Sequence, residues 1–297
     1  MRARTQRDPL RRSQNPSGTL SPDRDDSPGG VNAGRENRKE PSLGELVLAA
    51  EFPPGADSFV LPPIFGSVTK PMVLVVLSVI IIVTYFLLAT RKMSIVPSKG
   101  QFAAESIYDF SRNTIAREQI GAQDFRRFVP LIFSLFAFLL VNNLFGIIPV
   151  IQFPTMARIG FPIALFLFVY ATYHFVGFKK HGFGGYLKHI MFPPGVPKPI
   201  YVLLAPIEFA QKFVFQPASL AIRVFAAMFA GHLILLVFTL GGTALLDASG
   251  PLKPVSLLSW ALAIAMTFLE AFIQVLQAYI FALLAANFIG AALAEEH

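Results

Sequence analysis

Residues 71–89 read PMVLVVLSVIIIVTYFLLA, nineteen positions without a charged side chain. As an α-helix this run is about 28 Å long, close to the roughly 30 Å hydrocarbon core of a bilayer. A helix at the surface of a soluble domain keeps one polar face, and this run has none, so it reads as a membrane crossing. Arg91 and Lys92 close it. The pattern recurs: residues 128–150 and 159–178 read as a second and third span, with Pro149 ending the second and Pro154 in the connector. Two longer apolar stretches follow, 218–246 and 254–293, joined by a Gly/Asp/Pro turn. The chain is 54% hydrophobic and 14% charged, whereas soluble domains run near a quarter charged. An ordinary soluble enzyme, a secreted module and a disordered protein are excluded. Cysteine is absent, which removes disulfides, thiolate metal sites and a Cys nucleophile.

Between the spans the chain is polar. Residues 1–41 hold nine Lys/Arg and six Asp/Glu among Ser, Pro and Gly. That composition buries too little apolar surface to offset ordering entropy, so residues 1–58 are expected to be a disordered basic N-terminal tail and 59–297 a membrane domain. The tail lacks the apolar core of a signal peptide. Residues 100–120 place Phe102, Ile107, Phe110, Thr114 and Ile115 at helical spacing and predict an amphipathic helix at a membrane surface. Residues 179–199 read as a polar, Pro-rich loop, and 200–215 as an apolar segment broken by Pro206, Glu208 and Lys212. Basic residues set the orientation: seven Lys/Arg lie in 91–127 and four in 177–199, against one each in 150–158 and 241–254. The first two loops are therefore expected in the cytoplasm, with the N-terminus outside and the C-terminus inside. The basic tail would then lie outside, against the simple form of that rule. It is more than about 20 residues from the first span, beyond the distance over which the rule counts.

The last two stretches are too long to stand upright. Residues 254–290 would extend about 55 Å as one helix and 218–246 about 44 Å. A mismatch of that size calls for tilt or bending, and a tight turn between them predicts an in-membrane hairpin. The fold class is an all-α polytopic membrane protein of about five crossings plus the surface helix.

Charges inside such helices cost roughly 2.5–3.5 kcal/mol each on insertion scales, so each is a candidate functional group. Arg223 has no acid near it in sequence and stays protonated under all realistic conditions. It suits an electrostatic barrier or a carboxylate supplied by another chain; snorkelling to an interface is the bland alternative. His232, nine residues on, points half a turn away and about 13 Å along the axis. Glu270, Gln274 and Gln277 fall at i, i+4 and i+7 and form one polar stripe. The stripe lines water, faces a polar partner or serves as packing glue. Across a turn centred near residue 248, His232 and Glu270 reach similar depth, an arrangement suited to a proton relay. Glu208 lies beside Pro206, where a polar side chain can meet water.

These residues carry a resemblance. Pro217-Ala-Ser-Leu-Ala-Ile-Arg223-Val-Phe with Met228-Phe-Ala-Gly-His232-Leu, Leu269-Glu270 through Gln277-Ala-Tyr-Ile-Phe281, and Asn143-Leu-Phe-Gly-Ile-Ile-Pro149 resemble the signatures of subunit a of the rotary ATP synthase membrane sector. The similarity runs from about residue 59 to the end. It implies that Arg223 faces a ring of c subunits and bars a direct leak between two half-channels. It implies that His232 and Glu270 form the acid–base pair of the external half-channel, with Gln277 near the arginine. Glu208 and Ser219 would line the cytoplasmic half-channel. Gln274 joins the set from the stripe; it or a water is the candidate to replace the Asn that the family usually has where this chain has Ala227. The implied partners are the c-ring, b subunits, the remaining synthase subunits, the lipid bilayer of the cell membrane and protons.

No nucleotide loop of the GxxxxGK[ST] type occurs, so the chain is not expected to hydrolyse ATP. No cofactor, metal or nucleic acid is expected either. The rivals are a stand-alone proton-coupled secondary transporter and a structural membrane anchor. A transporter would ordinarily show inverted repeats, and none is visible.

Overall fold

The computed structural model describes residues 54–55, 59, 64, 66–91, 93–149, 151–192, 197–247 and 253–294. The expected disorder of 1–58 falls almost wholly outside them. Every regular element among the described residues is helical: α1 Lys70–Thr90, α2 Lys99–Asp109, α3 Glu118–Ile120, α4 Phe125–Leu144, α5 Gly160–Met191, α6 Tyr201–Ala210, α7 Gln216–Asp247 and α8 Lys253–Leu293. Five stretches are long and apolar enough to cross a membrane: α1, α4, Gly160–Lys188 of α5, Tyr201–Leu246 across α6 and α7, and α8. The chain is a multi-pass membrane protein.

The core forms where small residues let helices approach. Ala278, Phe281, Ala282, Ala285, Ala286 and Ile289 of α8 are all fully buried, and they pack with Ile132 and Leu139 of α4 and Val224 and Met228 of α7. α1 buries only Pro71, Leu74 and Ser78. Its Ser78 hydroxyl accepts from Asn142 Nδ2 at 2.8 Å, while Thr155 Oγ1 donates to Asn142 Oδ1 at 2.8 Å. The connector between α4 and α5, read from sequence as a short link, is thus part of the interior; Thr155, Met156 and Ala157 are buried.

α7 and α8 form the expected antiparallel hairpin, with both helices full length at 32 and 41 residues. Ser259 Oγ donates to the Phe238 carbonyl at 2.7 Å, and Trp260 lies directly over Gly242. The pairs Gly242–Trp260 and His232–Glu270 are symmetric about residue 251, so the turn is centred later than the 248 read from sequence.

Three local expectations are corrected. Residues 179–191 are helical, not loop: α5 continues through them with a break at Gly182, where φ is +71° and ψ 166°, a conformation glycine tolerates and other residues resist. The chain folds back there. His174 and Tyr186 lie about 18 Å apart in a straight helix, yet Tyr186 Oη sits 3.1 Å from His174 Nδ1. Gly177 admits the Tyr186 ring, since a Cβ at 177 would overlap it.

The segment 200–215 is not a separate broken piece. α6 passes through a π-helical stretch, Gln211–Phe215, directly into α7. Pro217 has no N–H to donate, and in π register its missing bond is the one to the Lys212 carbonyl. Tyr173 Oη reaches that carbonyl at 3.4 Å.

The surface helix also has a different inner face. Gln101, Ala104, Ser111, Ile115, Ala116 and Ile120 are buried, with a π-helical stretch at Phe110–Arg117; of the expected face Ile115 is buried, while Phe102 is 63% exposed.

Candidate functional site

The hairpin gathers the polar residues of the last two helices into one buried group. His232 on α7 and Glu270 on α8 are 5% and 4% exposed, with His232 Nδ1 3.9 Å from Glu270 Oε1. That separation exceeds a direct hydrogen bond and is within reach of a small rotamer shift. Gly231 lies against Glu270: a Cβ there would meet Glu270 Cγ at 3.5 Å, an ordinary contact. One turn along α8, Gln274 is fully buried and donates from Nε2 to Glu270 Oε1 at 3.0 Å. The stripe read from sequence therefore faces protein.

Asn143 of α4 completes the group. Its Nδ2 donates to the Gln274 carbonyl at 3.1 Å across 131 residues of sequence. Gly146, one turn later, sits against Gln274, where a Cβ would come within 2.8 Å of Nε2. Sequence reading placed Asn143 in a motif but gave it no role; two adjacent asparagines in an apolar span were the available signal.

Hydrogen bonding in this group is incomplete. His232 Nδ1, Glu270 Oε2, Gln274 Oε1, Asn143 Oδ1 and, further along α8, Gln277 Nε2 are buried without a hydrogen-bond partner. Buried polar atoms are ordinarily paired, because each unpaired one costs about 1–3 kcal/mol. Five such atoms along one seam make it the most polar and least internally paired part of the described interior. Phe59 covers the His232 ring edge-on at 5.7 Å and packs on Phe229 at 4.7 Å. Both phenylalanines also line a cleft of about 670 Å³ with Arg158 and Phe161 at its rim.

Arg223 is placed differently. It is exposed on α7, and no hydrogen bond or ion pair engages it among the described residues. The hairpin register puts Gln277, itself 5% exposed, at the same level. Ser219, one turn before Arg223, is also exposed. Glu208 is not in either group: it lies on α6 with its Oε2 4.0 Å from Lys212 Nζ, and the two side chains are 23% and 39% exposed. The structure thus brings His232, Glu270 and Gln274 together, sets Gln277 beside them, and leaves Arg223, Ser219 and Glu208 on outer faces. Among the described residues no group of His, Asp and Glu is arranged to hold a metal.

Residues 72–290 match the family described as ATP synthase A chain. A protein called ATP synthase subunit a from Nocardioides sp. is 45% identical over 260 residues, 82% of this chain and 94% of the relative. The subunit a of Pseudarthrobacter chlorophenolicus is 46% identical over 257 residues, 84% and 96% of the two chains. That of Streptomyces lividans is 40% identical over 253 residues, 83% and 89%.

Proposed function

We propose that this chain, which belongs to the ATP synthase A chain family, is the proton-translocating stator subunit of an ATP synthase. It is a membrane-sector subunit; ATP chemistry belongs to other subunits of the complex. Its partners are a c-subunit ring, b subunits and the remaining synthase subunits.

The observation that carries the reading is a division on one helix. α7 holds a buried acid–imidazole group at His232 and, about 13 Å away along the axis, an exposed arginine without a partner. An internal proton pair and an outward permanent cation are what a two-half-channel device needs. Protons enter from outside along the cleft beside Phe59 and reach His232. Exchange between His232 Nδ1 and Glu270 Oε1 passes through a small rotation, because 3.9 Å is too far for direct transfer. Gln274 holds Glu270 in place through its 3.0 Å bond. The proton then loads a carboxylate on the neighbouring ring. When rotation brings that carboxylate to Arg223, the fixed charge stabilises its ionised form and the proton leaves on the cytoplasmic side, past Ser219 and Glu208. Arginine suits the barrier because lysine can be deprotonated and would open a leak.

The orientation follows the basic loops: the N-terminus lies outside and the C-terminus in the cytoplasm. Residues 59–297 form the membrane domain, and Phe59 is already buried against it.

Affinity purification through a tag on this chain separates the stator reading from a stand-alone transporter. The expected result is recovery of ring and catalytic-head subunits in fixed ratio. Recovery of the chain alone, still conducting protons in vesicles, would favour the transporter.

A further inference from the structure

A second polar centre lies far from the His232–Glu270 pair, at the end of the bundle that carries the basic residues 179–188. His174 of α5 is 6% exposed, and its Nε2 is buried without a partner. It lines a cavity of about 60 Å³ with Tyr173, Tyr186, Lys212, Gln216 and Phe288. That is above the roughly 10–15 Å³ that one water needs, so the cavity has room for water. The fold invests several unusual features here: the Gly182 break that returns Tyr186 to His174, the bare Gly177 beneath its ring, and the π stretch that presents Lys212.

A row of polar side chains starts at the cavity. Lys212, Gln216, Ser219 and Arg223 follow one another at spacings of four, three and four, which align on one side of a helix. Gln216 lines the cavity, and Ser219 and Arg223 continue the row outward. At the far end Lys180 Nζ donates to the Leu293 carbonyl at 2.7 Å, so the basic segment borders the same end of α8.

We propose that this cavity is a proton-transfer station on the basic-loop side, with His174 as the group that takes up and returns the proton. This rests on the proton-translocating reading above and extends it to residues that reading does not use. With Nδ1–H donating to Tyr186 Oη, Nε2 offers a lone pair to cavity water. Uptake forms the Nε2–H bond and breaks one O–H bond of a protonated water; release reverses both, with no other co-reactant. The imidazolium so formed lies among aromatic faces: Phe213 is stacked at 4.7 Å, and Tyr170 and Tyr173 sit at 4.3 Å. The stacked Phe213 face favours a cation, while Lys212 on the cavity wall opposes one, so the charge is readily returned. The titratable groups facing His174 are Tyr170, Tyr173 and Tyr186 from α5 and Lys212 from the π stretch; α7 and α8 contribute Gln216 and Phe288. No carboxylate lines the cavity to trap the charge.

The test uses the whole complex in membrane vesicles stripped of the catalytic head, reading passive proton conductance per assembled complex. His174→Ala is expected to lower conductance about tenfold, less than the roughly 10²–10⁴-fold contribution of an obligatory acid–base group, because cavity water provides a bypass. Added imidazole, which fits the space the ring vacates, is expected to restore it. Unchanged conductance, or a loss that imidazole leaves untouched, overturns the proposal. If His174→Ala fails to assemble, Tyr186→Phe removes one oxygen and keeps the ring; a several-fold fall is expected, and full conductance overturns. Glu270→Ala run in parallel separates the two levels. Loss there with none at His174 rejects the station alone. Full conductance in both rejects the proton-translocating reading itself.

Discussion

Glu270 is 4% exposed, with one carboxylate oxygen shared between Gln274 and His232 and the other unpaired. A carboxyl kept this way costs stability, so its removal separates chemistry from packing. Glu270→Gln keeps the shape but has no exchangeable acid proton. It is expected to cut proton flux by roughly 10²-fold or more while the complex assembles normally. Glu270→Leu is expected to stop flux equally and to cost about 1–3 kcal/mol of stability, because it leaves the buried Gln274 Nε2 without its acceptor. Dye-quenching assays of pumping and thermal dissociation of the purified complex check both. A large loss of stability with flux retained would point to packing glue. The stripe Glu270–Gln274–Gln277 was legible because helical spacing alone puts the three on one face. The role of Asn143 was not, since its bond to the Gln274 carbonyl spans 131 residues and depends on how α4 crosses α8.

The helices themselves show where one-dimensional reading stops. Span α1 and the hairpin of α7 and α8 follow from apolar run length; α4 does in part, since it runs Phe125–Leu144 against the expected 128–150 and ends before Pro149. The continuation of α5 past residue 178 does not, because KKHGFGGY looks like loop until Gly182 is seen folding the chain back on itself. The π stretches are equally hidden: the one at Gln211–Phe215 leaves the Lys212 carbonyl to Tyr173, a residue far away in sequence. Close approach then becomes the sensitive point. Gly290 of α8 meets the backbone of Gln119, and a Cβ there would overlap its carbonyl oxygen. Backbone cannot swing aside as a side chain can, so Gly290→Ala is expected to cost about 1–3 kcal/mol. It should loosen residues 118–120 from α8, seen as faster proteolysis in the 110–125 region. An unchanged cleavage rate would show that the contact is not limiting.

At the scale of the whole molecule, the proposed orientation puts the two ends of the membrane domain on opposite sides of five candidate spans and takes its direction from the basic loops. The absence of cysteine makes this easy to test. In intact cells a membrane-impermeant maleimide is expected to label Lys253→Cys but not Ser94→Cys, and in everted vesicles the pattern should reverse. The opposite pattern would invert the proposed orientation and both half-channels with it. The central claim is that an outward-facing, unpaired Arg223 divides the proton path from the buried His232–Glu270 pair. Its most direct test is ATP-driven proton pumping by membrane vesicles carrying Arg223→Ala in a fully assembled complex. The account predicts that pumping is abolished; normal pumping in that variant would contradict it.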